Sequence, residues 1–366
     1  MMGTPMLVSI RKNRVDRTKQ WLTSVAYALA WIIMVGCQSS QPERIVHLVP
    51  VHSLQVPEGE YYALAWLPND RVILNYQPKG KQGPESNLWI MRSDGSEFHE
   101  LALPSDIQNE CSWTEYHDPI TLSDGQAAYV RSCHMEKEPF RSSSILVLNP
   151  GTQTSQPLFT QQIPESALFS IAFGSDLSHG VGATYSDIEH YMFGIDNQGT
   201  YTLELGLLRP NRPAWSPDGK HLAFFGNRAM GGDAGPIWAT QAYDLWLMPA
   251  DCISRSRSCS ATAQLLTQGV NGPTRVAWSP NGNWLVFDGD VQGQGKGIWL
   301  LDARRQKLYQ IAVGNYERPT WSPDGQSIMV VVGSPVQSQS DPTLISYTSL
   351  AILDVNELVK DSGISP

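Results

Sequence analysis

The sequence predicts an all-β fold, a six-bladed β-propeller of four-stranded antiparallel blades, and three observations carry that expectation. The first is a recurring stretch: RPAWSPDGKHLAFFG from Arg212 to Gly226, RVAWSPNGNWLVFDG from Arg275 to Gly289 and RPTWSPDGQSIMVVVG from Arg318 to Gly333. Each reads as a strand ending in Trp, a tight Ser-Pro-Asp/Asn-Gly turn and a second strand of β-branched and aromatic residues. Pro presets φ near −65°, Asp or Asn bonds back to its own backbone, and Gly takes the φ > 0 position without steric cost. The second is composition: 366 residues, 41% hydrophobic and 17% charged, with 30 Gly, 25 Pro and 12 Trp, which favours short strands joined by turns over helices. The third is that a further apolar strand follows every hairpin at a steady period.

Residues 1–36 are set aside first. Arg11, Lys12, Arg14, Arg17 and Lys19 form a basic n-region, and Trp21 to Gly36 is an apolar run of 16 residues, short for a membrane span and right for a secretory signal. The run ends in Met34-Val35-Gly36-Cys37, which resembles the bacterial lipobox with Met in place of the usual Leu. That resemblance implies cleavage before Cys37, lipidation of its sulfur, and a mature protein held on the cell envelope by a short tether, residues 37–43. Gln38 in place of Asp implies the outer membrane if the cell has two membranes. Acyl chains anchor by roughly 0.8 kcal/mol per buried CH₂. Without residues 1–36, which carry five basic and one acidic residue, the net charge moves from −9 to −13. Nucleic acid and anionic head groups are poor partners for such a chain. Four cysteines remain beside Cys37, and an even number in an exported chain invites disulfides. Of three possible pairings, locality favours Cys111 with Cys133 and Cys252 with Cys259.

Aligning the last residue of each unit's first strand gives Trp66, Thr121, Phe173, Trp215, Trp278 and Trp321, at spacings of 55, 52, 42, 63 and 43 residues. Third strands follow at Asn87, Ser144, Tyr191, Asp244, Gly297 and Leu350, and the first five units add a short fourth, such as HELAL from His99. Six four-stranded units at this period are what a propeller requires. The propeller is expected to span residues 44–358, with a tail at 359–366. The last unit has no fourth strand of its own, whereas Arg44 to Val51 is an apolar strand without a unit. That N-terminal strand is expected to complete the last blade and so remove an edge.

The WSPDG turn, the Ile/Leu-Trp/Tyr-x-Met/Leu-Asp third strand and the Leu-Thr fourth strand resemble the TolB-like propeller repeat, a relative of the WD repeat. The resemblance covers about residues 44 to 358, strongest in the last three units; Gly174-Ser175-Asp176-Leu177 departs from it in the third. TolB proteins carry an α/β domain ahead of the propeller, and nothing between Cys37 and Arg44 corresponds to one. The resemblance therefore implies a propeller alone on a tether, without TolB's own partners.

Candidate sites follow from the strand order. The connections between second and third strands are long and gather on one face, where binding usually resides. Three positions before each aligned residue stand Ala63, Asp118, Ser170, Arg212, Arg275 and Arg318, and equivalent positions of successive blades converge on the axis. The functional reading is a cationic spot that grips a carboxylate or phosphate by bidentate hydrogen bonds. The structural alternative is inter-blade salt bridging to Asp218, Asp324, Glu317 or Asp118. The insertion at 227–243 offers Met230, Asp233, Ile237, Trp238 and Tyr243 as binding anchors, or as a cover for the blade edge. Gly289 to Gly297 opens no helix and reads as a hairpin loop, not a nucleotide loop. Enzyme signatures are scarce, with no Gly-x-Ser-x-Gly, His-Glu-x-x-His or Cys-x-x-Cys. The dense titratable cluster is Glu115, Tyr116, His117 and Asp118; its bland reading is loop hydrogen bonding. The expectation is a monomeric, cofactor-free protein-interaction or ligand-binding module of the cell envelope, taking an envelope protein or a small anionic ligand. The other readings are a channel-mouth lyase or hydrolase on polysaccharide or cell-wall fragments, and a structural envelope subunit.

Overall fold

One recurring hydrogen-bond set builds the repeated turns. Asp218 Oδ1 accepts from Ser216 Oγ (2.7 Å) and from the Lys220 N–H (3.0 Å), while Ser216 Oγ accepts from the His221 N–H (2.9 Å). Asn281 with Ser279, and Asp324 with Ser322, repeat the pattern. Gly219, Gly282 and Gly325 sit at φ near +70°, the left-handed region that glycine enters without strain. In the departing third unit Leu177 takes φ 57° instead.

The computed structural model describes residues 42–80, 87–101, 111–122, 124–136, 141–159, 163–164, 167–174, 177–185, 190–228, 242–253, 262–335 and 345–361. Two short strands come first, β1 (Glu43–Val46) and β2 (Val51–Ser53). Antiparallel sheets follow in chain order. The first holds β3 (Gly59–Leu67), β4 (Arg71–Pro78), β5 (Asn87–Arg92) and β6 (His99–Glu100). The second holds β7 (Trp113–Thr121), β8 (Ala127–His134), β9 (Arg141–Asn149) and β10 (Thr154–Pro157), with β11 (Ile163–Pro164) also on β9. The third holds β12 (Ala167–Phe173), β13 (His179–Tyr185), β14 (His190–Asp196) and β15 (Gly199–Thr202). Next come β16 (Leu207–Trp215), β17 (His221–Arg228), β18 (Tyr243–Pro249) and β19 (Gln264–Asn271), then β20 (Val276–Trp278), β21 (Trp284–Val291), β22 (Lys296–Asp302) and β23 (Lys307–Val313). Two residue pairs between β19 and β21 join these two arrays into one larger sheet. The last array is β24 (Tyr316–Trp321), β25 (Ser327–Pro335) and β26 (Ile345–Asp354), followed by a short helix α1 (Asn356–Asp361).

The hydrophobic core lies between sheets. Each buried cluster is shared by two consecutive arrays, as Phe225 and Leu245 are with Phe287 and Trp299. The last array closes on the first, Met329, Val331 and Leu350 packing with Tyr61, Leu64 and Leu74. Leading strands touch in chain order, and β24 also touches β3. Indole N–H groups fasten neighbours: Trp278 donates to Ala214 O (3.1 Å) and Trp321 to Ala277 O (3.3 Å). This is the β-propeller arrangement of stacked four-stranded sheets.

Two details differ from the sequence reading. The segment Arg44 to Val51 is not one strand. β1 pairs in parallel with β23, whereas β2 pairs antiparallel with β26 and supplies the outer strand of the last array. Pro50 separates them; it has no N–H to donate to a ladder, so the chain changes sheets there. The helix α1 crosses the position where a tail was expected to begin, and Leu358 and Val359 are buried in the core.

Candidate anion site

The innermost strands do not run straight. Register shifts interrupt the ladders between Tyr61 and Ala63, His117 and Ile120, Leu168 and Ser170, Asn211 and Ala214, and Glu317 and Thr320. Asp118, Arg212 and Arg318 stand inside three of these shifts with φ of 51°, 51° and 57°. Each precedes a proline, Pro119, Pro213 or Pro319. A proline in a paired strand withholds a ladder donor, so the strand bulges and re-aims the neighbouring side chain. Non-glycine residues held at positive φ cost of order 1–3 kcal/mol each and concentrate at functional sites. Arg275 precedes Val276 instead, and has no such φ.

All six residues aligned in the sequence, Ala63, Asp118, Ser170, Arg212, Arg275 and Arg318, line one cavity of about 650 Å³. The wall continues from the arginines to the Ser-Pro turns, with Trp215, Trp278 and Trp321 between. The guanidiniums lie deep in the protein but keep part of their surface on the cavity.

Arg275 donates through Nη1 to Leu64 O and through Nη2 to Pro119 O (3.4 Å), so it spans to the first two sheets. Arg318 sits over the Tyr62 ring at 5.8 Å, a cation–π contact. No described carboxylate makes an ion pair with Arg275 or Arg318. Asp218 and Asp324, offered above as salt-bridge partners, are held by their turns, and Glu317 is held by Lys296 Nζ (2.6 Å) and Tyr347. Asp118 Oδ2 accepts the Ile171 N–H (2.8 Å).

A buried carboxylate organises this layer from behind. Asp288 accepts from the Thr274 N–H (3.1 Å), Thr274 Oγ1 (2.9 Å) and the Arg275 N–H (2.9 Å). Thr274 Oγ1 in turn accepts the Arg318 N–H (3.1 Å). One side chain thereby fixes the backbones that present two arginines. Burial, reinforced by Glu317, pushes Asp288 up to about 7. Burial also raises Asp118, against the pull of Arg275, and lowers all three guanidiniums. Burying a charged group is expensive, which is why burial lowers these guanidiniums and raises the two carboxyl groups.

The remaining sequence candidates separate. His117 reaches the cavity wall, but its Nε2 lies 2.9 Å from the buried Ser132 Oγ. Glu115 pairs with His134 at 3.1 Å, and Tyr116 packs toward Tyr129. His117 and Asp118 both line the cavity at the bulge, whereas Glu115 and Tyr116 are not among its lining residues, so the four do not form one site. Tyr243 begins strand β18 and packs half-buried on the core, which removes it from the loop proposed above; Met230, Asp233 and Trp238 lie outside the described residues. Cys111 and Cys133 form a disulfide. Cys252 is disulfide-bonded, while Cys37 and Cys259 lie outside the described residues. Gly289 to Gly297 belongs to the β21–β22 hairpin, where the Gly295 N–H donates to Asp290 Oδ1 (2.9 Å). Among the described residues no group of three or more His, Cys, Asp or Glu could hold a metal ion.

Comparison with solved structures decides the fold. TolB from Acinetobacter baumannii superposes with a TM-score of 0.53 at 15% identity, over 79% of this chain and 65% of that one. The fold is that of a TolB-like β-propeller. A luciferin-regenerating enzyme (TM-score 0.51, 13% identity, 84% of this chain and 96% of that one) shares it. So does oligogalacturonate lyase from Vibrio parahaemolyticus (0.50, 10%, 85% and 94%). At these identities the likeness is one of fold. No family profile matches the chain. The uncharacterized peptidase YuxL of Bacillus subtilis (strain 168) is 36% identical over 69 residues, 18% of this chain and 10% of its own length. The chain thus matches a small part of that relative.

Proposed function

We propose that the protein is a ligand-binding module of the cell envelope, a six-bladed propeller held on the membrane through Cys37, whose cavity grips an anionic group of a small ligand or envelope protein. Support for the anchor is the Met34-Val35-Gly36-Cys37 motif behind a basic and apolar leader. Support for six blades is the agreement of six sequence units with arrays led by β3, β7, β12, β16, β20 and β24. The observation that carries the function is that Arg275 and Arg318, deep in the protein and open to one cavity, form no ion pair with a carboxylate among the described residues.

Calorimetric titration with inorganic nitrate, a planar monoanion, tests this reading. A hydrogen bond to a charged group contributes about 1.5–3 kcal/mol, so Arg275→Met and Arg318→Met should each weaken binding by roughly tenfold or more. If the arginines only staple blades, the same variants lower the melting temperature and leave the titration unchanged.

A further inference from the structure

The same three repeats that contribute arginines contribute an apolar collar to the cavity: Trp215, Trp278 and Trp321, with Pro217, Pro280 and Pro323. Within each repeat the arginine is followed along the cavity wall by the tryptophan three residues on and the proline two residues beyond it. A ligand that fills the cavity therefore meets charge at one level and aromatic and proline surface at the next. The indole N–H groups of Trp278 and Trp321 are tied to neighbouring backbone, which leaves the cavity-facing parts of those rings as apolar contact surface.

Carboxylates already share this layer with the guanidiniums, Asp118 within the cavity and Asp288 behind it, while Glu317 is matched by Lys296, so a singly charged anion meets less repulsion there than a doubly charged one. Planar guanidinium forks match a planar carboxylate by paired hydrogen bonds. A cavity of about 650 Å³ is of the size that encloses a whole small ligand or the end of a longer one.

Resting on the anion reading above, we infer that the ligand is a monocarboxylate at the end of an apolar body, the carboxylate on Arg275 and Arg318 and the body against the Trp-Pro collar. Such a group is presented by a free aryl or acyl acid and by the C-terminus of a peptide ending in an apolar residue.

The test uses the whole protein, calorimetry and the fluorescence of the cavity tryptophans, with phenylacetate, phenylacetamide, acetate and inorganic phosphate as probes. Phenylacetate should bind at least tenfold more tightly than its amide, than acetate and than phosphate. Trp215→Phe should weaken phenylacetate severalfold and leave phosphate unchanged. Acetyl-Ala-Ala-Phe as free acid and as amide then separates the two sources. Acid-selective peptide binding tighter than phenylacetate identifies a chain terminus; weaker binding identifies a small acid. Equal binding of phenylacetate and its amide overturns the inference. Arginine-dependent phosphate binding that matches or exceeds phenylacetate also overturns it while leaving the anion site standing; binding of no anion at all overturns both. The acid-to-amide ratio is read on the unaltered protein, so it does not depend on any variant folding.

Discussion

Asp118 shares its cavity with three arginines, and Asp288 stands behind two of them. Both carboxyl groups are raised by burial, Asp288 to about 7. Asp288 faces Glu317, Thr274 and all three arginines, so its ionisation is felt across the layer. As pH falls through about 7 the negative charge of Asp288 disappears beside the guanidiniums, and anion affinity should rise between pH 8 and pH 6. Asp118→Asn should raise affinity roughly tenfold, about 1.4 kcal/mol, with the gain shrinking as pH falls. The stability effect of Asp288 carries the matching sign. Between about 4, where an unfolded Asp ionises, and about 7 the unfolded chain has lost a proton that the folded protein keeps. Stability on this group's account therefore falls as pH rises through that window and levels off above it. Denaturant unfolding of Asp288→Asn across pH 5 to 8 should lack that slope.

At the scale of elements, the hairpins were open to reading because their chemistry is local: Ser, Asp or Asn, and Gly satisfy one another within a few residues of the turn. The convergence of Asp118, Arg212, Arg275 and Arg318 was also legible, since equivalent positions of a repeat meet at the axis. The bulges were not read, although the prolines after Asp118, Arg212 and Arg318 are their signal. A proline in an apolar strand looks like a strand residue until its missing hydrogen bond is counted. Pro50 hid the division of β1 from β2 in the same way. Closure now has two parts, β1 extending one array in parallel and β2 finishing the last. Deleting residues 43–53 removes both and bares two edges, and should lower the melting temperature by roughly 5–10 °C in calorimetry. An unchanged melt would show that the ring closes without them.

For the molecule as a whole, the same repeat supplies both scaffold and site. Turn residues and tryptophans hold the sheets to one another, and the position three residues before each aligned residue is left to face the cavity. The chain carries a net charge of −9, yet this cavity is cationic. Long-range attraction does not draw anions to such a protein, so selection falls to the cavity itself. What the repeat pattern could not disclose was how the arginines are paired, because that depends on Asp288 and on Leu64 and Pro119 carbonyls from distant sheets. Bromide soaked into crystals of the protein and located by its anomalous scattering tests whether these arginines hold an anion. A bromide peak is expected between the guanidiniums of Arg275 and Arg318, lost in Arg318→Met. Bromide bound elsewhere, with no peak between those guanidiniums, would contradict that expectation.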